Sequence, residues 1–305
     1  MYIKSLKLQN FRNYADESFA FDPAVNLICG ENGQGKTNLL EAAAACSTMR
    51  LFRTAQKKEG LRFGENHAFI FADFLAQERD ISLELRFSRT KAMEIYKNGV
   101  RQKRQSDAQG LLKTVLFCPE DLALIKAGAT ERRSFLDHAI CQLRPRYAEA
   151  LAQYSKLLDH KTRILRDWEK HPSLLDVLED FNEAMARAHF VRKLAEKAVQ
   201  IQTEFSGGRE TLALHYATVS TVRNPLGPTV ELYEDLRRHQ DSHAKAERDA
   251  RSCLSGPHKD DLVARINGQP ARQYASQGQT RTAALSLKLA ERELFRDDTG
   301  QWPIL

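Results

Sequence analysis

The stretch Val25-Asn26-Leu27-Ile28-Cys29-Gly30-Glu31-Asn32-Gly33-Gln34-Gly35-Lys36-Thr37 constrains this chain more than any other. Val25 to Cys29 is a short apolar run that reads as a buried strand. Gly30-x-x-x-x-Gly35-Lys36-Thr37 follows it, and an Ala/Leu-rich helical stretch runs from Asn38 to Ala45. A glycine loop between strand and helix is the setting of a phosphate-binding P-loop. A triphosphate carries several negative charges and needs many donors at short range. Gly30, Gly33 and Gly35 let the backbone turn tightly and offer bare N–H groups, and the helix that follows directs its positive dipole end at the phosphates. Glu31, Asn32 and Gln34 complete the loop. Lys36 supplies a mobile charge for the β- and γ-phosphates, and the Thr37 hydroxyl can ligate Mg²⁺. The expected ligand is a nucleoside triphosphate with Mg²⁺.

With 305 residues the chain can bury one large core or two domains. No apolar run reaches the roughly 20 residues that span a bilayer, and Met1-Tyr2-Ile3-Lys4-Ser5 is no signal peptide, so a cytoplasmic protein without membrane contact is expected. Five scattered cysteines without a C-x-x-C pair read as reduced, mostly buried thiols, not as metal ligands. The net charge of +6 permits a polyanionic partner.

Ile3 to Phe11 alternates as a strand, and further strands are expected at Phe69–Phe74 and Ile81–Phe87. Asn98-Gly99 and Asn267-Gly268 are two-residue hairpin signals. The first hundred residues thus read as a β-rich lobe around one P-loop helix. A short apolar strand at Val115–Cys118 should end at Pro119, which suits the first position of a helix. From Thr130 to about Phe205 the pattern is almost continuously helical, with breaks near Arg144-Pro145 and His171-Pro172, until Gly207-Gly208 stops it. This charged segment fits either an arm projecting from the body or an ordinary all-helical subdomain. A strand at Thr211–Tyr216 and a polar helix from Thr229 to about Cys253 follow. The last fifty residues return to β structure, and Ala275-Ser276-Gln277-Gly278-Gln279 then opens a final helix. Trp302-Pro303-Ile304-Leu305 is an apolar run just starting, so the sequence reads as C-terminally incomplete.

A P-loop near the N-terminus, a helical insertion, and Ser276-Gln277-Gly278-Gln279 heading a helix resemble the layout of ABC-type ATPases related to SMC proteins. Within that class the whole chain resembles the RecF family of bacterial recombination mediators. Six ordered motifs carry the resemblance: Leu8–Tyr14, Gly30–Thr37, Phe117–Leu122, Arg132–Asp137, Ser255–Leu262 and Ala275–Gln279. The P-loop alone is shared widely, whereas the ordered set is specific. The implied fold is α/β, an ABC/SMC-like P-loop ATPase head with a mainly helical inserted arm. The corresponding domains are 1–118 with 302–305 for the ATPase lobe, and 119–301 for the arm and signature lobe.

The resemblance also implies ATP-dependent homodimerisation on DNA, double-stranded or at gaps and junctions, with RecR, RecO and RecA as partners in repair. Ser276, Gln277, Gly278 and Gln279 would face the P-loop of the other copy, as donors at a helix N-terminus suited to a γ-phosphate. Ser276 serves equally as an ordinary N-cap. Arg12 would lie near the nucleotide, or is simply a surface charge. A Walker B acidic pair is expected immediately beyond Leu305, so a weak, DNA-stimulated ATPase is implied for the longer relative and ATP binding alone for this chain. Backbone-directed DNA binding would draw on Lys57, Lys58, Arg101, Lys103, Arg104, Arg132 and Arg133, each of which also fits a solvated basic face. Another SMC-like ATPase and a small-molecule kinase are the competing readings. The kinase gives no reason for Ser276–Gln279. A transporter nucleotide subunit does not accommodate the roughly 240 residues between Thr37 and Ser276.

Overall fold

The period-two alternation near the N-terminus becomes a six-stranded antiparallel sheet in the order β2-β1-β3-β4-β5-β6. The strands are β1 (Tyr2–Phe11), β2 (Tyr14–Ala20), β3 (His67–Ala76), β4 (Arg79–Ser88), β5 (Glu94–Lys97) and β6 (Val100–Arg101). This description rests on a computed structural model that covers residues 1–54, 56–166 and 182–305, and the break expected at His171-Pro172 lies outside the described residues. Ala68, Ile70, Ala72 and Phe74 of β3 alternate into the core, as do Leu83, Leu85 and Phe87 of β4. On β1 the buried set is Ile3, Leu6, Leu8 and Phe11, and a register shift between Ile3 and Ser5 explains the three-residue step from Ile3 to Leu6.

Helix α1 (Lys36–Thr48) joins the same core through Leu39, Ala42, Ala45 and Cys46. Each fully buried Leu, Ile or Phe contributes about 1.5–3 kcal/mol. The β5–β6 turn places Asn98 and Gly99 at φ 48° and 76°, the two positive values a type I′ hairpin requires. The β3–β4 turn does the same with Gln77 and Glu78, at φ 51° and 60°, a turn that no glycine or asparagine announces in the sequence.

Two expected strands do not form. Val25–Cys29 has no ladder partner among the described residues, and Val25 and Leu27 are 83% and 89% exposed. A strand exists only as the hydrogen-bonded neighbour of another, and apolarity by itself supplies no neighbour. Ile28 alone of this run packs against the core. Val115–Cys118 likewise forms no strand: a single parallel bridge joins Thr114, just before it, to Ile304, and Pro119 then opens a 3₁₀ turn, Pro119–Leu122.

The described chain divides into two compact units. The first comprises Met1–Leu116, Cys141–Pro145 and Phe295–Leu305, and so includes the sheet and α1. Within it the Gln142 side-chain oxygen accepts from the Ser47 hydroxyl at 2.5 Å and from the Thr114 N–H at 2.9 Å. Gly110, at φ 77°, lies so close to the Gln142 carbonyl that a Cβ would sit 2.2 Å from it.

The second unit, Phe117–Ile140 with Arg146–Leu294, is mainly helical. It takes most of α3 (Ala129–Leu143) and α4 (Pro145–Arg166), together with α5 (Asn182–Ser206) and α6 (Thr229–Ala250). The one-turn helices α2 (Ala123–Lys126) and α7 (Ala271–Tyr274) and the long α8 (Gln277–Thr299) complete the helices, and α8 passes into the first unit at Phe295. A small antiparallel sheet runs β7 (Leu212–Ala217), β8 (Asp261–Ile266), β9 (Gln269–Pro270). Gly207 and Gly208, at φ 60° and 76°, end α5 where the sequence places the stop.

Candidate nucleotide-binding loop and capped signature helix

The glycine loop has the backbone its residues permit. Gly30, Gly33 and Gly35 lie at φ 146°, 85° and 104°. At Gly35 a Cβ would fall 2.7 Å from the Asn13 amide and 2.9 Å from the Tyr14 hydroxyl. Those two side chains, from the β1–β2 hairpin, donate to the carbonyls of Gln34 (3.1 Å) and Gly35 (3.0 Å) and so hold the loop from beneath. Gly35 is the N-cap of α1 and brings no side-chain acceptor, and the first turn contains no acid. The N–H groups and the positive dipole end of α1 are therefore left to an anion. The Lys36 ammonium donates to the carbonyls of Gly30 (2.6 Å) and Glu31 (2.7 Å), curling back over the loop. Glu31, Asn32, Gln34 and Thr37 are exposed. The donor set fits a polyphosphate: bare N–H groups, one ammonium, and a hydroxyl at the second helical position.

Arg12 does not point its donors at this loop. Its Nε and Nη2 donate to the two Glu41 oxygens at 2.8 and 3.0 Å, and Nη1 donates to the Glu59 carbonyl at 2.7 Å. The pair is enclosed, with side chains 16% and 0% exposed, and the Arg53 N–H adds a third bond to Glu41 at 3.2 Å. Arg12 thus braces α1, the helix that the glycine loop opens. Glu41 escaped the reading of the sequence. Its signal was a lone carboxylate inside the apolar run Leu39-Leu40-Glu41-Ala42-Ala43-Ala44, where an unpaired charge is costly.

Ser276–Gln279 forms a reciprocal capping box at the head of α8. The Gln279 N–H donates to the Ser276 hydroxyl (3.2 Å), and the Ser276 N–H donates to the Gln279 side-chain oxygen (2.9 Å). Ser276, Gln277 and Gly278 are exposed, and a Cβ on Gly278 would meet nothing closer than 3.9 Å. Lys126 braces the approach to this helix. Its ammonium donates to the carbonyls of Ala275 (2.6 Å), Arg272 (3.4 Å) and Ala271 (3.5 Å).

The Ser255–Leu262 segment is held by cations of the second unit. Arg132 is buried and grips both Asp261 oxygens at 2.7 and 2.8 Å, and it also donates to the Ala127 carbonyl. Arg133 donates to the Asp260 carbonyl at 2.8 Å. Arg187 pairs with both oxygens of Asp137 and donates to the Pro257 carbonyl. The Tyr216 hydroxyl donates to Asp260, whose burial pushes its pKa up. Arg132 is buried and spends its paired donors on Asp261, whereas Arg133 is half-buried, with one donor on the Asp260 carbonyl and another on the Thr130 hydroxyl. Lys58, Lys103 and Arg104 are exposed, Arg101 is exposed but paired with Glu94 at 2.7 Å, and the Lys57 side chain is outside the described set. A cavity of about 40 Å³ among Tyr154, Lys161, His239 and Cys253 is far too small for a nucleotide. No described helix is long and apolar enough to cross a membrane.

The AAA domain family matches residues 5–206. The DNA replication and repair protein RecF of Agathobacter rectalis is 35% identical over 316 residues, covering 100% of this chain and 84% of its own. That of Listeria innocua is 36% identical with the same coverage. The chain belongs to the RecF family. Two solved RecF structures agree with it throughout. The recombination mediator protein RecF with ATP superimposes at a TM-score of 0.91 and 31% identity, over 100% of this chain and 83% of that one. The RecF–ATPrS structure gives 0.89 at 32% identity, over 99% and 83%. An Smc head bound to the winged-helix domain of ScpA gives 0.51 at 14% identity, over 96% and 77%, a likeness of fold alone. The α/β P-loop ATPase class expected from the RecF resemblance is thus the class observed.

Proposed function

We propose that this chain is an ATP-dependent DNA-binding recombination mediator. The observation that carries the reading is the Gly30–Thr37 loop, with its positive-φ glycines and an α1 start that no side chain caps, in a chain of the RecF family. Gly30, Gly33 and Gly35 would present backbone N–H groups to ATP, Lys36 would leave the carbonyls of Gly30 and Glu31 for the β/γ-phosphates, and Thr37 would hold Mg²⁺. ATP, when bound, supplies the polyanion that a second copy of the chain can also touch. In that homodimer Ser276 and the Gly278 N–H of one copy would face the γ-phosphate held by the other, which makes nucleotide binding report on assembly. Domains bounded at 1–118 with 302–305, and at 119–301, would carry the two halves of that site.

DNA is the proposed substrate surface, as duplex and at gaps or junctions, with RecR, RecO and RecA as partners in loading at single-strand gaps. The solved relatives are named for the RecFOR pathway, which supports that assignment by kinship. The test is duplex-DNA binding by fluorescence anisotropy with ATP, with ADP, and for Lys36→Ala and Ser276→Ala. Binding that requires ATP and is lost in both variants supports the mechanism. Binding that ignores the nucleotide and both substitutions refutes it.

A further inference from the structure

We propose that the turn Arg62–Glu65 is a nucleic-acid contact in which Phe63 stacks on an unpaired base, an inference that rests on the DNA-binding reading above. Phe63 is 101% exposed, while Phe11, Phe74 and Phe87 of the same unit are buried in its core. Single exposed apolar residues are common on protein surfaces. What sets this one apart is the frame that holds it. The Glu65 N–H closes the turn onto the Arg62 carbonyl at 3.0 Å, and Gly64 supplies the φ of 88° that the third position of a type II turn demands. The Arg62 N–H is tied to the Asn10 carbonyl at 2.8 Å, Leu61 bridges Phe11, and Arg89 donates to the Glu65 carbonyl at 3.2 Å. The backbone on both sides of Phe63 is fastened to the sheet, and the ring stands out from it.

The surroundings select the ligand. Lys58, Arg62 and Arg89 are exposed, and the Lys58 and Arg62 side chains make no hydrogen bond or ion pair among the described residues. Residues 57–65 carry Lys57, Lys58 and Arg62 against Glu59 and Glu65, and Arg89 adds a further cation from outside the segment. A protein partner gripping an aromatic anchor surrounds it with apolar contacts. Here Arg62 adjoins the ring in the turn, Arg89 is fastened to the turn's last carbonyl and Lys58 lies on its approach, charges of the kind that follow a phosphate backbone while an aromatic face takes a base. In an intact duplex every interior base face is already stacked, so the matching surface is a base at a gap, end or single strand. The same segment is fastened to the phosphate-loop helix: the Arg12 N–H donates to the Gly60 carbonyl at 2.8 Å and its Nη1 to the Glu59 carbonyl, while its other donors hold Glu41 of α1.

The test uses this chain with ATP and three oligonucleotides, a duplex, a gapped duplex and a single strand. The latter two carry 2-aminopurine at an unpaired position. Phe63→Ala is expected to weaken gapped and single-stranded binding about tenfold and to abolish the 2-aminopurine quench, while duplex binding stays within about twofold. Phe63→Trp should retain both. Lys58→Gln with Arg62→Gln should weaken all three probes and flatten the salt dependence. Because Phe63 contributes nothing to the core, its removal leaves the fold in place. Unchanged binding of Phe63→Ala to all three probes overturns the proposal and assigns the ring to another class of partner. An equal loss on duplex and gapped DNA overturns it too. Should the unsubstituted chain bind none of the probes, the DNA reading itself fails, and this contact with it.

Discussion

Helices α1 and α8 both begin at a glycine-containing polar turn, but their first turns are completed in opposite ways. At α1 the N-cap is Gly35, with no side-chain acceptor, and the stabilising contacts come from outside the helix: Asn13 and Tyr14 on the loop carbonyls, and Arg12 on Glu41. At α8 the turn satisfies itself through the Ser276–Gln279 box, with Lys126 holding the preceding carbonyls. An uncapped start leaves donors for a ligand and depends on distant residues for its shape. A capped start is locally stable, and its serine hydroxyl, an acceptor in the cap, keeps its own proton to donate. The first therefore tolerates little change around it, while the second tolerates a good deal.

The sharpest way to break this contrast is to remove the outside support of α1. Arg12→Ala strands the fully buried Glu41 carboxylate and should cost about 3–5 kcal/mol in urea unfolding. A variant as stable as the parent would show that the brace is dispensable. The two glycines should then respond with opposite sign. Gly35→Ala forces a side chain to φ 104° and against Asn13, costing about 1–3 kcal/mol and ATP binding measured by calorimetry. Gly278→Ala meets open space at a helical position and should be neutral or stabilising by up to about 1 kcal/mol, while reducing ATP-driven dimerisation in sedimentation.

Ser276→Ala should lose about 1 kcal/mol even without nucleotide, because the cap is lost, and Ser276→Asp should restore stability but not the response to ATP. Recovery of both by Asp would reduce Ser276 to a cap.

The smallest effect concerns acid. Neither helix start has a carboxylate in its first turn, so the acid-side loss of stability should originate elsewhere. Glu247 is one source. Burial pushes its pKa up, but the Lys161 ammonium and the N–H groups of Leu254 and Ser255 outweigh that and hold it below the usual carboxylate value. A depressed pKa gives stability that is present above the unfolded-state value of about 4.3 and lost as the pH falls through the folded one. Glu247→Gln should flatten unfolding free energy against pH in that window, and an unchanged slope would move the source to another group.

The elements legible in the sequence were those whose cause is local. Asn98-Gly99 and Asn267-Gly268 gave their hairpins because both residues accept positive φ, and Gly207-Gly208 ended α5 for the same reason. The β3–β4 turn was illegible, since Gln77 and Glu78 reach the same conformation only under the pull of ten paired residues on each strand. The apolarity of Val25–Cys29 was misread as a strand because a ladder needs a neighbour that no local pattern records. Arg132 looked like any surface arginine until Asp261 was placed against it.

What this chain's sequence determined by itself was the phosphate-binding loop and its helix, the alternation of β1, β3 and β4, and the capping box of α8. Each follows from φ preferences, side-chain period or a bond spanning three residues. Only the tertiary structure decided which partners the charges meet. Arg12 meets Glu41 across 29 residues and Arg132 meets Asp261 across 129, pairings that no local pattern in the sequence records.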